Sequence, residues 1–129
     1  MSLTPAIGIT ILVVDDDLDI LESVQDALST EGFHVLTAVN GAEALKVLRS
    51  GARPAIVLLD LMMPVMNGFE FLEAQAGDPQ IASVPVLVVS ADASSRVKTA
   101  ATSATGFVQK PFKLVTILEA IKKHSGYAT

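Results

Sequence analysis

Residues 15–17 are three consecutive aspartates that close the aliphatic run in "ILVVDDDLDI". A carboxylate leaving a buried strand needs water, a counter-charge, a helix N-terminus or a cation. Three other apolar runs also end in reactive groups. "AIVLLD" (55–60) ends in Asp60, "VPVLVVS" (84–90) in Ser90, and "GFVQK" (106–110) in Lys110, directly before Pro111. If the first and third runs lie side by side, Asp15, Asp16 and Asp60 share one crevice. Carboxylates that close raise each other's pKa unless a cation joins them. Oxygen-only ligands select a hard ion, and a few carboxylates with room for water suit Mg²⁺, or Mn²⁺ in its place. Metal, carboxylate, lysine and hydroxyl together point to phosphoryl chemistry. An ionised aspartate can attack phosphorus and form an acyl phosphate without a base. The metal and Lys110 would neutralise the oxygens of the transferring group, and Ser90 would hydrogen-bond one of them. Asp17 has a separate role, as the cap of the first helix, with Asp19 in its first turn.

These groups need elements to hold them. "IGITILVV" (7–14), 55–60 and 84–90 are almost wholly aliphatic, as in strands buried on both faces. "FHVLTA" (33–38) and 106–110 are more mixed and fit edge strands. Helix patterns lie between them. Ile20, Leu21, Val24 and Leu28 share a face, as do Leu45 and Leu48 behind Asn40 as N-cap with Glu43 three residues on. Asn67 caps a third helix with Phe71, Leu72 and Gln75, and a weaker fourth covers about 93–104. The last carries Leu114, Leu118 and Ile121, and its closing turn holds Lys122, Lys123 and His124. The sum is an α/β chain of (βα)₅ type, a doubly wound five-stranded parallel sheet with helices on both faces. In such sheets ligands bind beyond the carboxyl ends of the strands, where the reactive residues stand.

The chain has 129 residues, enough for one domain over 1–129. An ordered core of about 7–124 is expected, with the first five or six residues and "SGYAT" frayed and no output domain. The net charge is −5, and the nine basic residues are scattered, which argues against direct nucleic-acid binding. No run approaches the length of a membrane span, and the start lacks a basic n-region. The absence of cysteine excludes disulfides and thiolate metal sites and suits a cytoplasmic protein.

"ILVVDDD", "LLDLMMPVMNG", "VVSA" and "QKPF", in that order at strand ends, make the chain resemble the response regulator receiver domain of two-component signalling over essentially its full length. The resemblance implies a flavodoxin-like fold with strand order 2-1-3-4-5. It implies that Asp60 takes a phosphoryl group from a histidine kinase or histidine phosphotransfer protein. It also implies Mg²⁺ held by Asp16, Asp60, the backbone carbonyl of Met62 and, largely through water, Asp15. Ser90 falls at the switch hydroxyl, Lys110 at the phosphate-contacting lysine, and Lys110–Pro111 at a peptide that is usually cis. Phosphorylation would reshape the surface of helix four, strand five and helix five, where a downstream protein binds.

The chain departs from the family pattern in places. Phe107 stands where the switch aromatic is often tyrosine. Met62 and Asp92 fall beside the path of an attacking water. The stretch from Ser90 to Phe107 is two residues shorter than usual, and "SATG" replaces "GAD" before strand five.

Plainer roles exist for the same residues. Asp15 and Asp16 fit a helix cap and a solvated neighbour, and Asp60 a turn. Met62 and Met63 fit gap-filling or loop-rim positions, Phe107 edge-strand packing, and Lys122–Lys123 a solvated helix end. His34 and His124 are expected to be exposed. Two other functions are open to such a chain. A pseudo-receiver would bind protein without phosphorylation. An aspartate-nucleophile phosphatase of the haloacid dehalogenase type would turn over substrate, but it wants D-x-D-x-[TV], and Asp19 stands at the last position. A receiver catalyses only its own phosphorylation and dephosphorylation and is not otherwise an enzyme.

Overall fold

The aliphatic runs become five short parallel strands, each followed by a helix. The computed structural model describes residues 8–125, so the expected fraying of residues 1–6 and 126–129, and a strand start at residue 7, lie outside the described residues. In chain order the elements are β1 Thr10–Val14, α1 Leu18–Thr30, β2 His34–Ala38, α2 Gly41–Arg49, β3 Ile56–Asp60, α3 Gly68–Ala76, β4 Val86–Ser90, α4 Ser95–Ala100, β5 Gly106–Gln109 and α5 Leu114–Ser125. The sheet order is β2-β1-β3-β4-β5, all parallel, with β2 and β5 at the edges.

Alternation along the buried strands sends successive side chains to opposite faces. Leu12, Val14, Val57, Leu59, Val86 and Val88 meet α2 and α3 through Leu45, Leu48, Phe71 and Leu72. Ile11, Val13, Ile56, Leu58, Leu87 and Val89 meet α1 and α5 through Leu21, Leu28, Ile117 and Ile121. Each such side chain contributes about 1.5–3 kcal/mol on leaving water. Gln75 is the polar member of the buried α3 face. Its Nε2 donates to the carbonyls of Ile81 and Val84 at 3.0 and 2.9 Å, tying the loop before β4 to the helix.

Three expectations change. The fourth helix is not 93–104 but six residues, Ser95–Ala100. Side chains claim the backbone at both ends. The Asp92 carboxylate accepts from the Ser94 N–H and hydroxyl, while the Thr102 hydroxyl donates to the Thr99 carbonyl and accepts from the Ala104 N–H. Such local bonds compete with the helical ladder. On α5 the fully buried positions are Ile117 and Ile121, with Leu118 half-buried against the same cluster; Leu114, the first member of the expected stripe, is exposed, and Ile117 takes its place in the core. His124 is half-buried rather than exposed, and a Cβ on Gly106 would meet its Nε2 at 2.6 Å; His34 is exposed as expected. The first four strands also begin later than the apolar runs. Gly8, at φ +84, interrupts the first, and Pro85, without an N–H, precedes β4.

Candidate functional site

The register sets the site. Val14 of β1 lies opposite Leu59 of β3, so Asp15 emerges beside Asp60. Asp60 lies opposite Val89, and Ser90 opposite Gln109, which puts Lys110 on the same rim. Asp15, Asp16 and Asp60 each bring a carboxylate oxygen within 4.8 Å of the others. Asp15 and Asp60 are buried and Asp16 is exposed.

The three consecutive aspartates do three different things. The Asp15 Oδ1 accepts from the Asp17 N–H at 2.9 Å, and its Oδ2 takes the Lys110 ammonium at 2.8 Å. Asp16 faces solvent at the crevice edge. Asp17 is the N-cap of α1, accepting from the N–H groups of Asp19 and Ile20. The Lys110 Nζ also lies 3.6 Å from the Asp60 Oδ1, so one ammonium serves two buried carboxylates.

Burial pushes the Asp60 pKa up to about 6, and the charges of Asp15 and Asp16 push the same way. The Lys110 ammonium and a hydrogen bond from the Met62 N–H oppose them without cancelling them. Burial by itself would lower the Lys110 pKa. The hydrogen bond to Asp15 and the two carboxylate charges outweigh it, so the net shift is upward and the lysine stays charged. Three carboxylates face one ammonium, all donors are oxygen, and one carboxylate is held short of full ionisation. That donor set fits a hard divalent cation.

The remaining groups close the rim. Ser90 is buried, and its Oγ accepts from the Asp92 N–H at 3.2 Å. The Ser90 carbonyl accepts from the Lys110 N–H at 2.8 Å, and the Lys110–Pro111 peptide is cis. Phe107 is half-buried on β5, with the Arg96 guanidinium 4.7 Å from its ring centroid, within cation–π range. The Met62 and Asp92 side chains are exposed, whereas Met63 joins the core.

Some of this arrangement left no mark that sequence reading could use. The Lys110–Asp15 pair joins residues 95 positions apart. Arg96 over Phe107 depends on where α4 ends up. The backbone that follows Asp60 is held by two glycines. The Gly68 N–H donates to the Leu61 carbonyl, the Gly41 N–H to the Met66 carbonyl, and a Cβ on Gly68 would sit 2.8 Å from the Leu61 Cα. The asparagine–glycine pair at 67–68 was the available signal, since Asn67 and Glu70 form a capping box there.

Residues 11–122 match the family model described as the response regulator receiver domain. The chain belongs to the response regulator receiver family. This receiver domain is 41% identical over 115 residues to the transcriptional regulatory protein PrrA of Mycobacterium tuberculosis, a match covering 87% of the chain and 48% of PrrA. Among solved structures it is similar to the chemotaxis response regulator CheY4 of Vibrio cholerae, at 35% identity and a TM-score of 0.80, covering 89% of this chain and 97% of that one. It is similar also to the response regulator TrrA of Thermotoga maritima, solved in complex with Mg²⁺ and BeF, at 32% identity and a TM-score of 0.80 with the same coverage. The receiver spans about half the length of the curated relatives it matches. Among the described residues no helix is long and apolar enough to cross a membrane.

Proposed function

We propose that this receiver accepts a phosphoryl group on Asp60 from a phosphohistidine of a sensor kinase or phosphotransfer protein in the cytoplasm. The observation that carries the reading is one buried carboxylate at the end of β3, gathered with Asp15 and Asp16 and lying 3.6 Å from a Lys110 ammonium that also bonds Asp15. An Asp60 Oδ attacks phosphorus, an O–P bond forms, and the P–N bond to the donor imidazole breaks. The bonding pair returns to the imidazole nitrogen, which leaves as the neutral ring after protonation. Lys110 is placed to neutralise a phosphoryl oxygen, and Ser90, on the adjacent strand, to hydrogen-bond another. Asp15, Asp16, Asp60 and the Met62 carbonyl are the groups that would hold a divalent cation. When bound, Mg²⁺ or Mn²⁺ supplies positive charge against the phosphoryl oxygens.

The new dianion then competes for Lys110 and the Ser90 hydroxyl. Movement of Ser90 and Phe107 would alter the surface of α4, β5 and α5, to which a downstream protein binds. The net charge of −5 favours protein contact over nucleic acid within these residues. No turnover of an external substrate is proposed, and the output activity depends on a partner or on sequence outside this domain.

Incubation with acetyl phosphate and Mg²⁺ followed by intact mass tests the reading. One added phosphoryl group is expected, absent in Asp60→Asn and absent with chelator. Label that persists in Asp60→Asn would place the acceptor elsewhere. No label with any donor would favour the phosphorylation-independent binding module.

A further inference from the structure

Four strand ends supply the reactive groups of the site, and β2 supplies none. The corner that follows β2, residues 38–41, is nevertheless bonded to both sides of the crevice. The Asp15 N–H donates to the Ala38 carbonyl at 3.1 Å, and three residues later the Gly41 N–H donates to the Met66 carbonyl at 3.0 Å. The first bond holds the chain where β1 gives way to the aspartates. The second holds the loop that follows Asp60 and carries Met62. Among the described residues it is the one backbone hydrogen bond that ties residues 62–67 to an element other than the α3 they lead into.

Gly41 is what allows this approach. It is the first residue of α2, where N–H groups have no partner inside the helix. The Asn40 side chain satisfies the Glu43 N–H, and the Ala44 N–H returns to the Asn40 carbonyl. The Gly41 N–H is left to the Met66 carbonyl, which meets the positive end of the helix dipole. Gly41 is buried, and a Cβ there would sit 2.7 Å from the Met66 Cγ and 2.9 Å from the Met66 carbonyl oxygen. Only glycine lets α2 come this close.

The grip reaches Met62 through a stiff segment. Met63 is packed in the core, and Pro64 has a fixed φ. Val65 stands at φ +68 in a γ-turn closed by the Met66 N–H and the Pro64 carbonyl at 2.7 Å. A β-branched residue with positive φ is strained, and such a conformation lasts only where its surroundings fix it. Gly41 fixes the Met66 carbonyl, and Ala44, Leu45 and Leu48 fix α2 in the same core cluster that holds Met63. Pushing Met66 away from α2 therefore moves the Met62 carbonyl relative to Asp15 and Asp16.

We infer that Gly41 is a positioning residue for the cation site: its N–H and its missing side chain set the distance between the Met62 carbonyl and the aspartates at the end of β1. Gly41 touches neither the ion nor the phosphoryl group. The inference rests on the reading that the Met62 carbonyl and the three aspartates hold Mg²⁺. Outer groups that orient metal ligands commonly carry about 10- to 100-fold in affinity.

The test is the affinity of the folded protein for Mg²⁺, read from amide chemical shifts during titration well below the melting temperature. Gly41→Ala should bind Mg²⁺ about tenfold more weakly than wild type. Two references should stay within about twofold of wild type, because neither disturbs the grip. Lys46→Gly, on the exposed side of α2, weakens the helix alone. Met66→Ala keeps the carbonyl. With acetyl phosphate, Gly41→Ala should need about tenfold more Mg²⁺ for half-maximal labelling. Its rate should return to within about twofold of wild type once Mg²⁺ saturates, since no group at the phosphorus has been removed. A merely structural role would move the melting temperature and leave the Mg²⁺ requirement where it is. Should Gly41→Ala fail to fold, Gly41→Ala/Met66→Ala takes its place. It removes the Cγ contact, leaves the 2.9 Å contact with the carbonyl, and should lose the same affinity relative to Met66→Ala.

Wild-type affinity in a folded Gly41→Ala overturns the inference. So does an equal loss in either reference, which would trace the effect to helix stability or to the Met66 side chain. So does a double variant that does not fold, because the grip would then belong to the fold alone. A wild-type chain that binds no Mg²⁺ is a different result and removes the cation reading itself.

Discussion

Asp60 holds its proton more tightly in the folded protein than in the unfolded chain, with a pKa of about 6 against 3.8 for an unperturbed aspartate. The sign of the consequence is fixed by linkage. The group favours folding below its unfolded pKa and loses that contribution as pH rises through the folded value. In the absence of divalent metal, wild type should therefore lose melting temperature relative to Asp60→Asn as pH rises from about 4 to about 7. Thermal melts of both proteins across that range in chelator check this, and parallel curves would refute it. Asp16 is the exposed member of the same cluster, and its charge also raises the Asp60 pKa. Asp16→Ala should leave the metal-free protein at least as stable as wild type, because it removes repulsion. The same variant should lose most of the rise in melting temperature that Mg²⁺ gives wild type, since only a cation bound to the folded state stabilises it. Melts with and without Mg²⁺ separate the two effects.

The elements around the site differ in how tightly they are fixed. The turn into α3 has no room: a Cβ on Gly68 would meet the Leu61 Cα at 2.8 Å and the Asp60 carbonyl at 2.9 Å. Both neighbours are backbone, which cannot swing aside, so Gly68→Ala should cost about 1–3 kcal/mol in urea denaturation. The short α4 is looser. The Thr99 Oγ1 is buried there without a hydrogen-bond partner. Thr99→Val keeps the shape and removes the orphaned hydroxyl, and it should raise stability by about 1 kcal/mol. A fall in melting temperature would mean that the hydroxyl has a partner in solution. The same contrast explains what the sequence revealed. β1, β3 and β4 are aliphatic runs, so their existence, and the reactive residues at their ends, were legible. Asn40 and Asn67 announced α2 and α3 because capping is chemistry of near neighbours. The bounds of α4 were not legible, because Asp92 and Thr102 draw backbone groups into turns that periodicity does not register. On α5 the face through Leu118 and Ile121 was legible, but Ile117 was missed in favour of Leu114, because the two are equally apolar and only the packed sheet chooses between them.

For the whole molecule, a sheet buried on both faces makes the site the meeting point of two separate cores. Asp15 and Asp60 extend strands whose alternate residues anchor in both clusters, so the carboxylates sit on a frame supported from two sides. Sheet order was legible only through the resemblance, since nothing local in β1 says that its partners are β2 and β3. That order also imposes a sequence in time. During synthesis β1 emerges first, can pair with β2 early, and must wait for residues 56–60 to gain its second neighbour. Lys110 follows β5, the final strand. A chain folded only as far as β4 gathers Asp15, Asp16 and Asp60 without the ammonium that bridges two of them. The acidic cluster thus works against any partial fold that has gained β3 but not yet β5, and the last strand to dock brings the charge that makes the first and third comfortable neighbours.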